Sequence, residues 1–171
     1  MPSVVEVCSR SPRQTRDIGR ILGFMLRGGE IIGLCGPLGA GKTQLAKGLA
    51  LGLGVPADEP IVSPTFVLMR EYAGRLRFYH CDVYRLQTVD ELDTLGLEEM
   101  LGEGDGVVAI EWADRFPGAF STDLINVDLE HESDSSRSLR ITFPNPAWAR
   151  SLVRQLVDGG VGATICADGG P

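Results

Sequence analysis

Residues 36–43 read Gly36-Pro37-Leu38-Gly39-Ala40-Gly41-Lys42-Thr43, the spacing G-x-x-x-x-G-K-[ST]. Glycines let a backbone wrap closely round a phosphate, and successive N–H groups with a helix N-terminus point at the anion. Lys42 is placed to reach the β- and γ-phosphates, and the hydroxyl of Thr43 to ligate magnesium. Pro37 to Ala40, Gly41 and Gln44 complete the candidate nucleotide-binding run. Among 16 basic residues only Lys42 and Lys47 are lysines. A chain that otherwise uses arginine has a compact ammonium where this motif demands one.

A phosphate loop needs a magnesium-holding carboxylate and a group to position the attacking water or acceptor. In open α/β sheets such groups lie at C-terminal strand ends. Asp82 ends the apolar run 76–81 and Glu111 ends the run 107–110, so both acids follow candidate buried strands. Hydrolysis chemistry leaves their roles interchangeable, since either can hold magnesium while the other orients water. Thr65, in the loop segment Ser63-Pro64-Thr65, suits a switch threonine or a plain turn. His80 reads as a satisfied core or surface histidine, and Trp112 as core or a neighbour of the nucleotide.

These residues need positioning elements. The run 30–35 is short, apolar and β-branched, as a buried parallel strand should be, and Leu45, Leu49 and Leu53 follow at helical spacing. Upstream, 4–8 alternates as a strand. Ser11-Pro12-Arg13-Gln14 then caps a helix that carries Ile18, Ile21, Leu22 and Met25 inward. Runs 66–72 and 76–84 flank Ala73-Gly74-Arg75 and predict an antiparallel hairpin. Thr88 to Glu91 opens an acidic helix through Leu95, and 97–101 adds a short helical piece. Residues 107–112 form a buried strand, 124–129 and 138–143 are closing strands, and 146–157 is an amphipathic helix. The expectation is an α/β, three-layer P-loop NTPase fold with a mixed, mostly parallel central sheet and an antiparallel hairpin. Residues 1–157 form its single domain, and 158–171, rich in Gly, Ala and Asp, are a frayed tail.

Composition narrows the partners. The chain has 171 residues, a net charge of −7 and an isoelectric point near 4.8. Such a balance gives little non-specific pull on a polyanion, so any nucleic acid is reached through a partner. The group Arg10, Arg13, Arg16 and Arg20 follows helical spacing and reads as a solvated face more than a binding stripe. Cys8, Cys35, Cys81 and Cys166 have neither C-x-x-C nor Cys/His ligand spacing and are expected to be free thiols. No apolar run reaches membrane-spanning length and no signal pattern opens the chain, so a cytoplasmic protein is expected.

With these pieces in order, the sequence resembles the bacterial TsaE family, the P-loop ATPase of tRNA threonylcarbamoyladenosine biosynthesis. The resemblance rests on GPLGAGKT (36–43), SPTF (63–66), YHCDVYRL (79–86), the acidic helix region 91–99 and AIEWAD (109–114), in family order over about residues 10–145. It implies an ATPase, with ATP and Mg2+ as cofactors, that works with the TsaD–TsaB pair. That machinery modifies the adenosine beside the anticodon, and the ATPase resets the partner complex. Carried over by position, Lys42 and Thr43 bind phosphates and magnesium. Asp82 is the Walker B acid, Glu111 supports hydrolysis, Thr65 is the switch threonine and Trp112 lies near the nucleotide. No arginine is clearly placed as a cis arginine finger; Arg85 is the nearest. Basal turnover should therefore be slow and partner-stimulated. The rivals are a small-molecule kinase, disfavoured because 113–123 holds only Arg115 where a lid would sit, and a module using ATP as an assembly switch.

Overall fold

A computed structural model describes residues 1–121 and 123–166. In chain order the elements are β1 (Ser3–Ser9), α1 (Pro12–Met25), β2 (Ile31–Cys35), α2 (Lys42–Gly52), β3 (Met69–Tyr72), β4 (Arg77–Asp82), α3 (Val89–Asp93), α4 (Leu97–Leu101), β5 (Gly106–Glu111), β6 (Ile125–His131), β7 (Arg137–Phe143), α5 (Pro146–Asp158) and β8 (Ala163–Cys166). One turn of 3-10 helix, Ala113–Arg115, follows β5. The eight strands form one sheet in the order β3-β4-β5-β2-β6-β7-β1-β8.

The four central strands β4, β5, β2 and β6 run parallel, with antiparallel pairings on both flanks. The expected hairpin is β3–β4, pairing Met69 with Cys81 and Tyr72 with Phe78. It is shorter than its apolar runs suggested, because residues 65–67 form a turn, with Leu68 N donating to Pro64 O at 2.8 Å and Leu68 in the left-handed region at φ 65°. The antiparallel half beyond β6 is larger than the closing strands alone foretold, since β1 inserts between β7 and β8.

Strand alternation splits the core in two. Phe78, Val107 and Leu34 join a cluster with α1, α2 and α5, while Tyr79, Cys81, Val108 and Ile110 join one beneath α3 and α4. This is the three-layer arrangement. Local chemistry sets the helix starts: the Ser11 hydroxyl accepts from Gln14 N at 3.1 Å, and Thr88 and Glu91 make a reciprocal capping box. Asp158 closes α5, and the following Ala163–Cys166 pairs antiparallel with Val4–Val7. The expected frayed tail from Asp158 is thus replaced over 163–166 by an edge strand. The Gly, Ala and Asp around it misled the reading there, masking the β-branched pair Thr164-Ile165 that suits a strand. The rest of that tail, 167–171, lies outside the described residues.

α1 and α2 pack backbone on backbone. A Cβ added at Gly48 would stand 2.1 Å from Arg16 O, and one at Gly19 would stand 2.5 Å from Leu45 O. Only glycine permits that approach. It carries the start of α1 to the loop that precedes α2.

Candidate functional site

β2 delivers the chain into the phosphate loop, and Gly41, at φ 105°, caps α2. At Gly36, φ 139°, an added Cβ would meet Leu129 O at 2.3 Å, so the turn out of β2 requires glycine. Lys42 is buried within this turn. Its Nζ donates to Gly36 O (2.6 Å) and Pro37 O (2.9 Å) and stands 3.6 Å from the centre of the Trp112 ring. Burial pushes its pKa down, while Glu111, Asp114 and Asp82 act in the opposite direction.

The register brings the two acids together. β4 and β5 pair in parallel with Asp82 opposite Glu111, so both carboxylates end neighbouring strands on one face of the sheet. Glu111 Oε1 accepts from Thr43 Oγ1 at 3.0 Å and from His80 Nε2 at 2.7 Å. Asp82 Oδ2 accepts from Ser63 Oγ (3.0 Å) and lies 3.4 Å from Thr65 Oγ1, while its Oδ1 accepts from Tyr84 N (2.9 Å). The structure thus brings Glu111, not Asp82, against the Thr43 hydroxyl. The reason is strand order: β5 adjoins β2, whereas β4 lies one strand further out. Asp82 instead anchors the Ser63–Thr65 loop, whose far end is held by Asp82 N donating to Leu68 O (2.9 Å).

Lys42, Thr43, Ser63, Thr65, Asp82, Tyr84 and Glu111 line one cavity of about 600 Å³, together with Leu38, Gly39, Gly41, Gln44 and Trp112. Its opposite wall was not foreseen. Pro12 and Thr15 come from α1, Ser135 from the β6–β7 connection and Arg137 from the start of β7. Arg137 Nη2 donates to Gly39 O at 3.2 Å, bracing the loop from the side away from Asp82. Nothing local marks Arg137, because its partner is 98 residues distant. Pro37 and Ala40 serve the turn rather than the cavity wall, with Ala40 N donating to Pro37 O at 3.1 Å.

His80 is fully buried, as a core histidine would be, but its one side-chain hydrogen bond among the described residues goes to Glu111. Trp112 adopts φ 66°, a left-handed conformation costly for a bulky residue, and its ring lies 4.8 Å from that of Tyr84. Arg85 does not line the cavity; its guanidinium lies 4.3 Å from the Phe66 ring centre. Arg115 sits 5.1 Å from the ring centre of Tyr84. Cys8, Cys35 and Cys81 are free, as expected. Burial pushes the Cys35 thiol up to about 12, with help from Asp114 and Asp128, so it is an inert neighbour of the loop. Among the described residues no helix is long and apolar enough to cross a membrane.

Comparison with known proteins points the same way. The family model "Threonylcarbamoyl adenosine biosynthesis protein TsaE" matches residues 9–139. A tRNA threonylcarbamoyladenosine biosynthesis protein TsaE from Treponema pallidum is 40% identical over 133 residues, covering 78% of this chain and 96% of its own. That of Nostoc sp. is 47% identical over 133 residues, covering 75% and 79%. The crystal structure of Bacillus subtilis YdiB superposes with a TM-score of 0.71 at 27% identity, covering 94% of this chain and 98% of that one.

Proposed function

The chain belongs to the TsaE family, and from that premise we propose that it is the ATP-hydrolysing component of tRNA threonylcarbamoyladenosine biosynthesis. The observation that carries the hydrolytic reading is the Thr43–Glu111 contact of 3.0 Å within a phosphate loop. A hydroxyl that gives its proton to a carboxylate keeps its lone pairs for a hard cation. Thr43 and Glu111, with Asp82 one strand away, are an oxygen donor set that suits magnesium, which takes one or two protein ligands beside phosphates and waters. Bound there, magnesium would neutralise charge developing on the β- and γ-phosphate oxygens.

The chain's own groups have distinct tasks in this reading. Lys42, now on the carbonyls of Gly36 and Pro37, would serve phosphate oxygens, and the N–H groups of 39–44 would hold a phosphate. Asp82 holds Thr65 and Ser63 at the γ-phosphate side, so that loop senses whether a triphosphate is bound. Pro12, Thr15, Ser135 and Arg137, on the opposite wall of the cavity, would face the nucleoside. Arg85 is committed to Phe66 and Arg115 to Tyr84, which supports slow basal turnover completed by a partner. We assign that partner as the TsaD–TsaB pair, with tRNA reached only through it, in the cytoplasm. Family membership supports this assignment.

The test is magnesium-dependent ATP turnover of the purified chain, alone and with TsaD–TsaB. Stimulation by the pair, abolished by Lys42→Ala, is the expected result. Equal turnover with and without the pair would overturn the partner assignment, and nucleotide binding without hydrolysis would leave an ATP-dependent assembly switch.

A further inference from the structure

We propose that His80 is a positioning residue: it holds the Glu111 carboxylate against Thr43 and leaves the second carboxylate oxygen for magnesium-bound nucleotide. The inference rests on the nucleotide reading above and goes one layer below it. His80 stands opposite Ala109 in the β4–β5 register, two residues before the Asp82–Glu111 pair. Residues two apart on a strand share a face, so the imidazole lies diagonally beneath Glu111.

Three observations separate this role from plain packing. First, Glu111 Oε1 takes both donors, Thr43 Oγ1 at 3.0 Å and His80 Nε2 at 2.7 Å, while Oε2 has no hydrogen-bond partner among the described residues. Since a carboxylate only accepts, Nε2 carries the hydrogen. Second, His80 is 0% exposed and its Nδ1 has no hydrogen-bond partner among the described residues, so the side-chain hydrogen bond they give it is spent on Glu111. A histidine kept for structure alone would ordinarily satisfy both nitrogens. Third, the ring stacks on Phe78 at 6.1 Å with 16° between planes, which fixes the direction in which Nε2 points. Without this donor, Glu111 would be held by the Thr43 hydroxyl alone, the very group that must also face the cation. Partners that orient a metal-side ligand in this way typically matter by about 10–100-fold.

The experiment compares His80→Leu, which removes the donor, with His80→Gln, whose amide nitrogen lies the same number of bonds from the backbone as Nε2. Calorimetry measures ADP affinity with and without magnesium, hydrolysis is followed in single turnover, and melting temperature reports the fold. The expected result for His80→Leu is a loss of about 10–100-fold in the magnesium-dependent gain in affinity or in turnover, with magnesium-free ADP binding unchanged. His80→Gln should regain most of that loss. Should His80→Leu not fold, His80→Asn, whose amide stops short of Glu111, takes its place. Equal impairment of the leucine (or asparagine) and glutamine variants would overturn the proposal, as would a normal magnesium response in His80→Leu beside a responsive wild type. A wild-type chain without magnesium-dependent binding would overturn the nucleotide reading itself.

Discussion

The two faces of the sheet are built to different standards. On one, α1 and α2 span 14 and 11 residues and meet through Gly19, Gly23, Gly48 and Gly52, where any added Cβ would stand within 2.5 Å of a backbone oxygen of the facing helix. On the other, α3 and α4 have five residues each and bury one apiece, Leu92 and Met100. Seven exposed acids crowd positions 90–105 of that layer without a basic residue among them. The difference teaches where precision is needed. The phosphate loop leads directly into α2, so a shift of α2 against α1 moves Lys42 and Thr43. No cavity-lining residue comes from α3 or α4, and that layer is free to be thin.

The largest contrast should come from two glutamates. Glu111→Gln keeps an acceptor for Thr43 but removes the carboxylate charge, so hydrolysis should fall by about 10²–10³ and the magnesium-dependent gain in nucleotide affinity should fall with it, at unchanged magnesium-free affinity. Glu99→Gln on α4 should leave turnover at wild-type level; a comparable loss from both would show the thin layer to be coupled to the site as closely as α2 is. Next is Gly48→Ala. Helix propensity alone predicts a gain of about 1 kcal/mol. The 2.1 Å approach to Arg16 O predicts the opposite sign, a net loss of about 2 kcal/mol and a melting point lower by roughly 4–8 °C. Nucleotide affinity should fall with it, because α1 and the loop part company.

Leu92→Ala sharpens the point. Leu92 is 2% exposed, and truncation should cost about 2–3 kcal/mol, much as Gly48→Ala does. Yet calorimetric ADP affinity below the melting point should stay at the wild-type value. The smallest effect concerns Cys81, buried beneath α3 and α4 with its thiol pushed up to about 12 by desolvation. Its folded pKa is raised, so its stabilising contribution is complete below the ordinary value of 9.0 and is lost as pH rises toward 12. At pH 8 it should react with iodoacetamide only when the thin layer opens, faster than α1–α2 amides exchange. Labelling as slow as global unfolding would show both faces to be equally firm.

Much of this was legible along the chain because it is local. The phosphate loop, its strand and its helix are contiguous. The α3 box needs only Thr88 and Glu91, and the acids announce themselves by following apolar runs. What escaped is set by register and crossing. Arg137 reaches Gly39, and His80 turns out to face Glu111, only because particular strands adjoin. The glycines of α1 and α2 look like weak helix residues until the two helices are laid together. The division between Asp82 and Glu111 follows from strand order, which alternation cannot reveal.

The seat of Trp112 has an optical consequence. The chain has two tryptophans, and the other, Trp148, packs on Phe143 with ring centres 6.5 Å apart, away from the phosphate loop. The Lys42 ammonium lies 3.6 Å from the Trp112 ring. Any ligand that draws this cation to its own oxygens changes the field on one indole and spares the second. If the phosphate loop is loaded, intrinsic fluorescence should read it, with a reference emitter built into the same molecule.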